Sequence, residues 1–108
     1  MAEERWWVAL VTFERREGEQ DILPAWAHGA CGWMVARAHD DEAARDLLVR
    51  DVEHHGLRVI EIARQHEVFG DDEIEELDQH LAQNFRNFEP DKHTVWGTIH
   101  CYKGEGEA

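Results

Sequence analysis

The chain is poor in the residues that would brace or anchor it from outside. It has two cysteines in 108 residues, Cys31 and Cys101. One possible pair is no disulfide framework. No run approaches the roughly 20 apolar residues that span a bilayer. No apolar N-terminal stretch with a basic flank is present, so no signal peptide is read. These absences lead to the expectation of a reduced, cytoplasmic protein without membrane contact, its cysteines serving as small core residues. Basic residues are scarce too: 11 Lys and Arg stand against 24 Asp and Glu, a formal charge of −13. Such a field repels phosphate backbones, so no nucleic-acid partner is expected. It favours solubility, and it suits a basic protein partner, whose encounter opposite charge would speed.

Catalytic signatures are also missing. There is no G-x-S-x-G, H-E-x-x-H or EF-hand pattern, and the cysteines lack C-x-x-C spacing. The small-residue segment 27–32 has neither the lysine nor the strand–loop–helix order of a P-loop, and it is not G-x-G-x-x-G. No catalytic, cofactor-binding or metal-binding residue is assigned. His28, Cys31, His100 and Cys101 have metal-ligand chemistry. His100 and Cys101, however, are adjacent in an expected strand and should point to opposite faces.

What the chain has in abundance is apolar strand on both sides. Residues 5–13 read R-W-W-V-A-L-V-T-F. One face would carry Trp6, Val8 and Leu10, the other Trp7, Ala9, Val11 and Phe13. A solvated sheet face is polar at every second position, so helices, a partner subunit or a ligand must cover the second face.

Strands are expected at 5–14, within 26–38 (best defined from 33 to 38), at 57–69 and at 94–102. The alternation of the third slips between Val59 and Ile60, which marks a bulge. Helices are expected at 41–55 and 72–88. Asp40 caps the first, whose apolar stripe is Ala44, Leu47, Leu48 and Val52, and Gly56 ends it. Asp71 or Asp72 caps the second, the latter with Glu75 in a capping-box arrangement. Its stripe is Ile74, Leu77, Leu81, Phe85 and Phe88, with Asp78 away from the centre and wet. The sequence D-D-E at 40 and 71 opens both helices, the trace of a duplicated unit or two independent acidic helix starts.

The order β-β-α-β-α-β gives an α+β class. The economical architecture is a two-layer sandwich of one four-stranded sheet with both helices on one face, close to a ferredoxin-like plan. It forms a single domain over 1–108, with 1–4 and 104–108 expected to fray. With both helices on one face, the other would carry Trp7, Phe13, Trp96 and Tyr102 and would pair with a second copy. The expected function is an acidic association domain, homodimeric through that aromatic face. The alternative is a small-ligand or enzymatic domain, its pocket lined by Trp7, Trp33, Trp96 and Tyr102 and lying between sheet and partner subunit. There His66 and His100 could form an acid/base pair, and Arg37, Arg58 and Arg64 could hold an acidic ligand.

Overall fold

The computed structural model describes residues 4–16, 23–24, 26–87 and 92–102. Expectations for Phe88, for the turn at 89–91, for most of the first loop and for the fraying ends fall outside these residues. The elements run β1 (Arg5–Arg15), β2 (Gly29–Ala38), α1 (Asp41–His54), β3 (Leu57–Val68), α2 (Asp71–Leu77), α3 (Gln79–Arg86) and β4 (Thr94–Tyr102). The four strands form an antiparallel sheet in the order β3-β1-β2-β4.

The helices lie on both faces of this sheet, which corrects the expected two-layer plan. Antiparallel register places Trp7, Ala9, Val11 and Phe13 on one face with Ala30, Met34, Ala36 and Ala38. Ala44, Leu48 and Val52 of α1 pack there. The opposite face carries Val8, Val35, Val68 and Val95, and these pack against Ile74, Leu81 and Ala82 of α2 and α3. Strands apolar on both sides are the signature of a sheet clad on both sides. A helix stripe says that a helix has an inner face, but not which side of the sheet receives it. The ferredoxin-like plan, with its helices on one face, therefore does not describe this arrangement.

Local chemistry sets the boundaries. Asp40 caps α1 by accepting from Ala43 N–H at 2.7 Å, and Gly56 takes φ 78° just beyond it. β3 is one long strand with two register shifts against β1. One falls at Ile60, where the alternation slips. The other falls at Arg64, which adopts φ 55°. β2 pairs with β1 without interruption from Gly29, and its register shift against β4 falls opposite Trp33.

The expected long second helix is broken at Asp78, and α3 runs from Gln79. Asp78 caps α3, accepting from His80 and Leu81 N–H at 2.8 and 3.0 Å. It also accepts from Thr98 N–H at 2.9 Å in the irregular part of β4. It is thus a tie between helix and sheet rather than a wet residue. Burial works to raise its pKa, but the bonds from Leu81, Thr98 and His80 outweigh this and hold it below the usual value. Gly97 permits the approach: a Cβ there would lie 2.7 Å from Leu81 Cβ. The expected Asp72 cap is absent, since Gly70 is the cap residue and makes no side-chain cap bond. Arg86 instead staples α3 to α2 through Asp71 at 2.6 Å and Glu75 at 2.5 Å.

The first face is finished by a second device. Leu23 and Ala27, from the connection between β1 and β2, are buried in the same cluster as α1. Arg15 holds that connection by donating to the carbonyls of Ala27 at 3.1 Å and Pro24 at 2.6 Å.

Candidate functional site

The second face is longer than either helix packed on it. β1 has 11 residues and α3 has 8. At about 3.3 Å per strand residue and 1.5 Å per helix residue, these span about 36 Å and about 12 Å. Cross-strand rows show which part is covered. Val68–Trp6–Arg37 and His66–Val8–Val35–Val95 lie at the α2–α3 end. Phe85 packs edge-on to Trp6 at 4.7 Å.

Beyond them lie three further rows: Ala63–Leu10–Trp33, then Glu61–Thr12–Cys31–His100, then Arg58–Glu14–Gly29–Tyr102. Trp33 borders the α2–α3 cluster. Leu10, Ala63 and Cys31 are half-buried and belong to neither core cluster. Among the described residues no helix covers them.

These rows grade from apolar to charged. At the far end Glu14 binds Arg58 through one carboxylate oxygen. Its other oxygen meets His28 Nε2 at 3.0 Å. Tyr102 lies across Gly29, where a Cβ would come within 2.5 Å of its hydroxyl. The hydroxyl donates a long bond of 3.5 Å to Phe13 O. Burial, with the Cys31 thiolate charge as a smaller cause, raises the Tyr102 pKa, so the phenol stays protonated and a donor at neutral pH.

The seven residues expected to form an interface or pocket divide between the faces. Trp33, Tyr102, His66 and His100 lie on the second. Trp7, Phe13 and Trp96 lie on the first, beneath or beside α1. Phe13 is fully buried. Trp7 donates its indole N–H to Ala38 O at 3.0 Å. Trp96 packs edge-on to Phe13 at 5.5 Å and donates to Asp51 of α1 at 2.5 Å. Asp51 also accepts from Thr94 at 3.0 Å, which straps α1 to the edge strand.

His66 and His100 share a face but sit on opposite edge strands, in different rows. Three strand spacings separate them by about 14 Å, so they form no acid/base pair. Arg37 and Arg58 lie at opposite ends of the sheet, and Arg64 occupies a bulge. Cys101 faces α1 while Cys31 and His100 face away from it. Among the described residues no group of three metal-ligating side chains converges. No helix among them is long and apolar enough to cross a membrane.

Sequence reasoning missed Glu14, Arg58 and His28 as a unit. They are 14 to 44 residues apart in sequence, and only strand register unites them.

The chain matches no protein-family model, no curated protein sequence and no solved structure.

Proposed function

We propose that this chain is a small acidic association domain of the cytoplasm that pairs weakly with a second copy through the uncovered end of its second sheet face. The observation that carries the proposal is the half-buried pair Ala63–Leu10, which packs in neither core cluster, with Trp33 beside it at the margin of the α2–α3 cluster. The helix pair stands proud of the sheet. Two copies can therefore meet face to face only with their bare ends overlapped and their helix pairs at opposite extremes. That is two-fold geometry, and it makes the contact self-complementary. It sets the Leu10–Trp33 row of one copy over the Gly29–Tyr102 row of the other, so Trp33 meets the Tyr102 ring that lies across Gly29.

Area decides the strength. Three rows across four strands cover about 400 Å² per copy, or about 800 Å² in all. Stable interfaces bury about 1,200–2,000 Å². The pairing is accordingly transient and concentration-dependent, with a micromolar or weaker Kd. The formal charge of −13 opposes it at low ionic strength, and the same charge suits a basic protein as a further partner.

Sedimentation equilibrium over a wide concentration range, at low and physiological salt, tests this. The mean mass should rise with concentration, more so at physiological salt. Trp33→Glu and Thr12→Glu should each return it to the monomer value. A monomeric mass at every concentration overturns the proposal, as does association unaffected by both substitutions in folded protein.

A further inference from the structure

We infer that the cleft between the first turns of α1, the end of β2 and the approach to β4 binds a small monocarboxylate with an apolar body. The cleft is a groove open to solvent, with a volume of about 330 Å³, at the lower end of the range for small-molecule sites. Ala38, Ala43 and Leu47 give it an apolar floor. Ala43, Leu47 and Arg50 are spaced four and three residues apart, so one stripe of α1 supplies both floor and cation.

The rim carries Arg37, His39, Arg50 and His93. An arginine on the side of the floor, with His39 and His93 beside it, stands out in a chain with 24 acids and 11 Lys and Arg. The fold holds them there. Arg37 N–H donates to His93 O at 2.8 Å, tying the end of β2 to the approach to β4. The Arg37 guanidinium is held toward the other face of the sheet, over the Trp6 ring at 5.6 Å and 3.7 Å from Glu4, which leaves Arg50 as the guanidinium on the side of the floor. Arg50 is exposed, and no described residue pairs with it. A guanidinium presents parallel N–H groups matched to a carboxylate, and an apolar floor receives the rest of such a ligand.

Two acids on the rim, Glu4 and Asp46, set the selectivity. They repel a doubly charged phosphate ester more than a single carboxylate. The volume confines the body to a short chain or a single ring. Repulsion from more distant acids is screened beyond about 8 Å at physiological salt, which leaves these local groups to decide.

The test is amide-shift titration of the full ¹⁵N-labelled chain with hexanoate and benzoate, beside hexanamide and benzamide as uncharged matches. The carboxylates should shift Ala38, Ala43 and Leu47 saturably, and the amides should bind about tenfold or more weakly. Arg50→Gln, a change at an exposed position, should weaken carboxylate binding about tenfold, while Asp46→Asn should strengthen it. The inference falls if no saturable shift appears by about 10 mM, above the millimolar range of the weakest specific binding. It falls equally if the amides bind as well as the acids, or if Arg50→Gln leaves affinity unchanged.

Discussion

The two faces of the sheet differ in chemistry and in cover: the first is apolar along its length, while the second turns from apolar to charged toward its uncovered end. The first is sealed by a 14-residue helix together with Leu23 and Ala27 of the β1–β2 connection. The second receives helices of 7 and 8 residues, stapled to each other and tied to β4 through Asp78. Burial on the first face runs the length of the sheet, from Ala38 to Phe13 and Leu57. On the second it stops after the Val8–Val35 row. The second face has as much helix as the first, but in two short pieces packed at one end of the sheet.

Substitutions should separate the faces. Leu48→Ala, in the sealed layer, should show the largest loss, about 2–5 kcal/mol in urea unfolding. Asp51→Ala leaves Trp96 and Thr94 without their acceptor and should cost about 1–3 kcal/mol by the same measure. A loss below that range would mean that the strap between α1 and β4 is dispensable. Gly97→Ala forces a methyl against Leu81 and the Asp78 carboxylate, so about 1–3 kcal/mol is expected. Hydrogen exchange should accelerate in α3 while α1 remains protected.

Asp78→Asn probes the same attachment through pH. The Asp78 carboxyl is held below its ordinary pKa when folded. Its contribution is therefore fully present above the ordinary carboxylate value and is lost as pH falls through the depressed one. The variant should be less stable at neutral pH and should lose less on acidification. Parallel pH–stability curves for the two proteins would contradict this. The smallest effect belongs to the uncovered rows: Thr12→Ser should change monomer stability by less than about 0.5 kcal/mol.

How much was legible in the chain follows from what is local. The Asp40 cap, the turn at Gly56 and the slip at Ile60 each depend on residues within a few positions, and each has its counterpart in the structure. The stripe Ile74–Leu77–Leu81–Phe85 was also legible, and these residues do pack inward. The break within it was not, because Asp78 is recruited by Thr98 from a distant strand. The side on which each helix packs depends on chain reversal rather than on periodicity. For the same reason Trp7, Phe13 and Trp96 could not be told from Trp33 and Tyr102 as face residues before the register was known. The Glu14–Arg58–His28 group and the Arg37–Arg50 cleft are products of register and packing, with no contiguous motif.

The two cysteines sit on opposite faces, Cys101 toward α1 and Cys31 in the middle uncovered row. This allows a direct test of association through that row: the thiol-alkylation rates of single-cysteine variants, Cys31→Ser and Cys101→Ser, measured against protein concentration. The rate at Cys31 should fall as concentration rises, while that at Cys101 stays constant. A Cys31 rate independent of concentration, or an equal fall at both thiols, would contradict it.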